Sequence, residues 1–264
     1  MLASKVHMPM GEDPNQRGNS RRWIIREVEN SLRRLETDYL DLYQVHRYDP
    51  DTDLDDTLGA LSDLVRVGKV RYIGHSTWPV SAIVEAQWTA RDRGRERFRT
   101  EQPTYSMLTR AIESDVLPTC ARYGMGVLSY SPLAGGWLSG RYRTGAEGPY
   151  SVARQRLANR FDMSLPENQR KLEAAGQLGE LADKAGITVI EMAIAFVLRH
   201  PAITSAIIGP RTMEHLESQL TAASTVLSDD VLDQIDEIVP PGITLNPADN
   251  GWVSPALQVS ARHR

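Results

Sequence analysis

The chain has 264 residues, 41% hydrophobic and 24% charged, with a formal net charge of −4. That balance fits a globular α/β domain and lacks the strongly basic surface of a nucleic-acid binder. A single cysteine, Cys120, excludes an internal disulfide framework and a cysteine-rich metal site, and no apolar run approaches the roughly 20 residues needed to cross a bilayer.

Strand-like and helix-like segments alternate from the start. Residues 1–6 form a short apolar run of β character, without the basic and apolar regions of a signal peptide, so the cytoplasm is the expected location. After a Gly/Pro/Asn loop, Ser20 is placed to cap a helix reaching about Glu36, with Trp23, Ile24, Val28, Leu32 and Leu35 at helical spacing. Residues 39–46 read as a buried strand, 53–67 as a helix closed by Gly68, and 70–74 as the next strand. A helix is expected from Pro79 to about Arg93, a strand within 98–105, a helix over 113–123 whose buried face holds Cys120, and a strand over 125–130. Beyond a long Gly-rich stretch come helices over 166–185 and 188–200, the second opening with the capping pair Thr188 and Glu191. Residues 203–208 are the last strand, followed by helices near 213–223 and 229–239. The Pro-, Gly- and Asn-rich tail from Pro240 is expected to wrap the surface.

This alternation implies a parallel sheet, closed or open. No strand-to-helix turn carries G-x-G-x-x-G, which favours a barrel over a doubly wound sheet. About six strands are legible where a closed barrel needs eight. In a parallel barrel the active site gathers at the C-terminal strand ends, here Lys5, His46, Ser76, Thr77, Gln102, Tyr130, Ser131 and residues 209–212. Alternation puts residues 40, 42, 44 and 46 on one face and turns Tyr43 to the other. There is no H-E-x-x-H, no G-x-S-x-G and no close His/Cys cluster, so neither a metal nor a serine nucleophile is expected.

Six segments carry more than their separate parts: LASKV at 2–6, DLYQVH at 41–46, VRYIGHS at 70–76, EQPTYS at 101–106, VLSYSPLAGG at 127–136 and IIGPRT at 207–212. In this order they resemble successive signatures of the aldo-keto reductase family, in the bacterial branch similar to potassium-channel β-subunits, over essentially the whole chain. The resemblance implies a (β/α)8 TIM barrel, incomplete here, as one domain over 1–264, with a cofactor and substrate loop at 131–165 and a tail at 240–264. It implies NADPH-dependent reduction of aldehydes or ketones to alcohols. Lys5 matches the family lysine that lowers the pKa of a proton-donating tyrosine, and His46 the histidine that orients and polarises the carbonyl. Ser76 and Gln102 match the residues holding the nicotinamide carboxamide, Thr77 stands where asparagine is common, and Tyr130 matches the aromatic under the nicotinamide ring. Ser131, Pro132, Leu133, Gly135 and Leu138 match the loop over the pyrophosphate. Gly209, Arg211, Thr212 and Gln219 match the surroundings of the adenosine ribose and its 2′-phosphate. A guanidinium at Arg211 suits bidentate phosphate contact and favours NADPH over NADH. The stretch from Gly135 to about Asp162 reads as a flexible lid or as a plain surface loop. The implied partner is a small carbonyl substrate, with no nucleic acid and no membrane, and relatives of the channel-subunit type often assemble as homo-oligomers.

One departure matters. The family's aspartate and tyrosine arrive on a segment of the form D-T-A-x-x-Y-G ahead of the lysine strand, and no such segment occurs in these 264 residues. The expectation is an N-terminally truncated chain: an internal methionine of a longer reading frame, or a fragment. A chain without the general acid is expected to lose on the order of 10²–10⁴-fold in rate, which leaves an NADPH-binding regulatory subunit as the alternative function.

Overall fold

The computed structural model describes residues 1–141 and 157–252. The chain forms two compact units, Met1–Gln102 with Pro118–Val127, and Pro103–Leu117 with the described part of Leu128–Arg264.

The first unit opens with β1 (Ala3–Val6), then alternates α1 (Arg21–Leu35), β2 (Leu40–Val45), α2 (Leu54–Arg66), β3 (Val70–His75), α3 (Val80–Arg93) and the two-residue β4 (Thr100–Glu101). Helices α1 and α2 begin where side chains satisfy unpaired first-turn amides, whereas α3 follows Pro79 without a side-chain cap. The Ser20 hydroxyl accepts from the Trp23 amide at 3.4 Å, and Asp53 accepts from the Asp55 amide at 2.7 Å. The face of α1 carrying Trp23, Ile24, Val28 and Leu32 is buried, as its spacing predicts, together with Glu27 and Ser31. β1 pairs with β2 in parallel register that sets Lys5 beside Gln44, and β2 with β3 so that Gln44 lies beside Gly74. Gly74 is required here, because a Cβ would meet the Thr100 hydroxyl at 2.1 Å.

α4 (Val116–Tyr123) is shorter than the helix expected over 113–123; a 3₁₀ turn, Ala111–Glu113, precedes it. Pro118 explains the break. It has no N–H to give residue 114, so the helix can only place it in the first turn. β5 (Gly126–Tyr130) follows, its Gly126 and Val127 paired with β4.

In the second unit the later residues of β5 pair with β6 (Ser205–Ile207). The helices are α5 (Pro166–Lys184), α6 (Val189–Arg199), α7 (Met213–Leu220) and α8 (Asp229–Ile238). The Thr188–Glu191 capping box is present at α6. The helix expected over 213–223 ends at Leu220 and tightens into a 3₁₀ turn, Thr221–Ser224. The tail is held more firmly than its composition implies. Leu245 donates its amide to the Leu108 carbonyl at 3.2 Å, Thr244 bridges Thr109, and Asn246 is buried. The remainder of the tail, 253–264, and residues 142–156 of the 131–165 loop lie outside the described residues.

Among the described residues, the six strands are parallel and follow one another in chain order. This is the order of a (β/α)8 barrel with six of its eight strands, as expected. Among the described residues, no helix is long and apolar enough to cross a membrane.

Candidate functional site

In the first unit, strand ends place the candidate chemical groups. Lys5 sits on β1 in register with Gln44, and His46 follows β2, its amide donating to the Val6 carbonyl at 2.9 Å. Both side chains are partly buried. Burial, and then the nearby Arg47 guanidinium, hold the Lys5 ammonium below the usual lysine range. Burial lowers His46 to about 4, helped by the charges of Arg47, Lys5 and His7. At neutral pH the imidazole is therefore uncharged, a hydrogen-bonding group rather than a cation.

Ser76, Thr77 and Gln102 meet where β3 and β4 end. The Ser76 hydroxyl donates to the Gln102 carbonyl at 2.7 Å, and the Gln102 amide donates to the His75 carbonyl at 2.9 Å. The Gln102 side chain reaches Gln44 Oε1 at 3.3 Å. Thr77 occupies left-handed backbone space with φ +56°. Behind them, on the alternate face, the wholly buried His75 and Glu101 share a hydrogen bond between Nδ1 and Oε2. No motif in the sequence marks this pair, although His75 and Glu101 are register partners beside Ser76 and Gln102 on adjacent strands.

Two other groups fall outside the chemistry. Tyr43 is fully buried, its phenol pushed upward by burial and by the Glu27 charge of α1, and its hydroxyl has no partner among the described residues. Cys120 is also buried, and burial with the Glu101 charge lifts its thiol to about 12, so it stays protonated.

The second unit contains a cavity of about 540 Å³ at the end of β5. Tyr130, Ser131, Pro132, Leu133 and Gly135 line one wall, and Gly209, Arg211 and Gln219 another. Two of the candidate residues do not line it. The Leu138 side chain is fully buried, and Thr212 caps α7, accepting from the His215 amide at 3.2 Å. The 131–136 turn is tightly coiled, with left-handed backbone at Ser131 (φ +60°), Ala134 (φ +49°), Gly135 and Gly136. Non-glycine residues in that region cost about 1 kcal/mol or more each, and such strain concentrates at ligand-holding turns.

Arg141, Ser139, His215 and Ser218 also line the cavity and were missed in the sequence. Arg141 Nη2 donates to His215 Nε2 at 3.0 Å. A pattern was there to find: His215, Ser218 and Gln219 fall at i, i+3 and i+4 on α7, one helix face. Two guanidinium groups, coiled backbone and a side-chain amide thus gather in one cavity that apolar surface otherwise lines.

Comparison with known proteins gives the family of the chain. The Aldo/keto reductase family model matches residues 1–240. An "Uncharacterized oxidoreductase YrpG" of Bacillus subtilis is 38% identical over 245 residues, 91% of this chain and 72% of that protein. A "Probable voltage-gated potassium channel subunit beta" of Arabidopsis thaliana is 33% identical over 234 residues, 87% of this chain and 70% of that protein. The "L-glyceraldehyde 3-phosphate reductase" of Escherichia coli is 28% identical over 246 residues, 92% of this chain and 70% of that protein.

Proposed function

The chain belongs to the aldo/keto reductase family, and from that premise we propose that it binds NADPH and serves the reduction of an aldehyde or ketone to an alcohol. The observation that carries the reading is the cavity of the second unit, which Arg211, Arg141, Gln219 and the coiled Ser131–Gly136 backbone line together. Arg211 would hold the 2′-phosphate, the 131–136 turn the pyrophosphate, Gln219 the adenine and Tyr130 the nicotinamide face. In the first unit Ser76, Thr77 and Gln102 would read the carboxamide. NADPH, when bound, supplies the hydride equivalent. His46, uncharged above about pH 4, donates one N–H to the substrate carbonyl oxygen and polarises it without adding a charge to the site. Lys5, with its lowered pKa, would supply the cation that favours ionisation of the phenol from which, in this family, the alkoxide left by hydride transfer takes its proton.

A second reading, NADPH binding with impaired turnover, is favoured by Tyr43. It lies three residues before His46, yet its phenol is buried and pushed upward. Both readings expect cofactor binding. They are separated by following NADPH absorbance with a broad aldehyde panel: steady oxidation supports the reductase, binding without oxidation supports the second reading, and absence of binding contradicts both.

A further inference from the structure

The His75–Glu101 pair is costly to bury. Both side chains are 0% exposed, and a carboxylate in that position must have its oxygens occupied. Both are. Oε2 meets His75 Nδ1, and Oε1 accepts the Thr77 amide at 2.7 Å. The second contact is unusual because Thr77 is left-handed at φ +56°, a conformation a β-branched residue avoids. The carboxylate therefore anchors the strained amide. The His75 ring is itself fixed, stacked on Trp78 at 4.9 Å and edge-on to Phe98 at 4.9 Å, with Nε2 left without a partner among the described residues. Ser76 lies between His75 and Thr77, and Gln102 follows Glu101. The pair thus sets the backbone on both sides of the Ser76–Gln102 hydrogen bond.

We propose that Glu101 and His75 are positioning residues for carboxamide recognition: buried on the far face of β3 and β4, they hold Thr77 left-handed and so aim Ser76 and Gln102 at the nicotinamide amide. This rests on the cofactor reading above. It requires that loss of the anchor harm recognition of the carboxamide and spare recognition of the adenosine phosphate.

The test uses the full chain and three probes: NADP⁺, its 3-acetylpyridine analogue, which lacks the amide N–H groups, and 2′,5′-ADP. Wild type is expected to prefer NADP⁺ over the analogue. Glu101→Leu removes both acceptors and is expected to weaken NADP⁺ about tenfold, the scale of one hydrogen bond, so that the preference collapses while 2′,5′-ADP affinity holds. Glu101→Gln keeps an acceptor for the Thr77 amide and is expected to restore the preference. Should Glu101→Leu fail to fold, Thr77→Pro deletes the anchored amide and excludes positive φ, and is expected to give the same collapse. Thr77→Gly loses the same side chain but keeps the amide and the positive φ, and is expected to retain more of the preference than Thr77→Pro. A preference that survives Glu101→Leu or Thr77→Pro, or 2′,5′-ADP weakening in step with NADP⁺, would overturn the proposal. A wild type that binds 2′,5′-ADP but does not distinguish the two dinucleotides would also overturn it. A wild type that binds none of the three would overturn the cofactor reading itself.

Discussion

His46 and Tyr43 sit three residues apart, and their opposite surroundings make opposite demands. His46 is held neutral down to about pH 4, against an ordinary value of 6.5. Between those values the unfolded chain binds a proton at this position that the folded chain refuses. Stability therefore rises with pH across that interval, and as pH falls it drops by up to about 1.4 kcal/mol per unit, levelling below about 4. Partial exposure reduces the slope. His46→Gln is expected to flatten this acid limb in urea denaturation measured at stepped pH; a limb of unchanged slope would contradict the assigned neutrality. Tyr43 has a buried hydroxyl without a partner, so Tyr43→Phe is expected to leave NADPH affinity unchanged and to change stability by no more than about 1 kcal/mol, towards greater stability. A large loss of cofactor binding in that variant would show that the phenol reaches the site after all.

At the scale of elements, the second unit is tied together by Lys171 of α5. Its ammonium is fully buried, 2.6 Å from Asp249 Oδ2 and 3.0 Å from the Arg160 carbonyl, and lies over the Trp137 and Phe161 rings at 4.8 and 5.7 Å. One side chain thus joins α5, the 3₁₀ turn Ala158–Arg160, the turn Pro247–Asn250 and the Trp137 end of the cavity loop. Removing one partner strands the other. Asp249→Asn is expected to cost about 3 kcal/mol, and Lys171→Met paired with Asp249→Asn less than the sum of the two single changes. Strict additivity in thermal or urea unfolding would show that the pair is not coupled. Little of this was legible in the sequence. Caps at Ser20, Asp53 and Thr188 could be read locally, because a cap and its amides lie within three residues. The Lys171–Asp249 pair spans 78 residues and joins irregular turns, which periodicity does not describe. Pro118 was a local cue to the shortened α4, and its missing N–H was enough to place the break.

For the whole molecule, six parallel strands in chain order were readable from the alternation of period-two and helical segments. The candidate site was readable unevenly. Residues ending strands, such as Lys5, His46, Ser76 and Gln102, follow from the rule that parallel strands present chemistry at their C-terminal ends. Arg141 and His215 lie 74 residues apart, and only folding brings the loop after β5 to the His215 face of α7. Likewise, burial of His75 and Glu101 depended on which face of β3 and β4 turns inward. The central claim is that the second unit's cavity takes a 2′-phosphorylated dinucleotide through Arg211. The most direct measurement is a fluorescence titration of wild type and Arg211→Ala with NADPH and with NADH. The expected result is preference for NADPH in wild type, with Arg211→Ala weakening NADPH on the order of 10- to 100-fold and leaving NADH nearly unchanged. Equal affinity for the two cofactors in wild type, or equal weakening of both by the substitution, would contradict it.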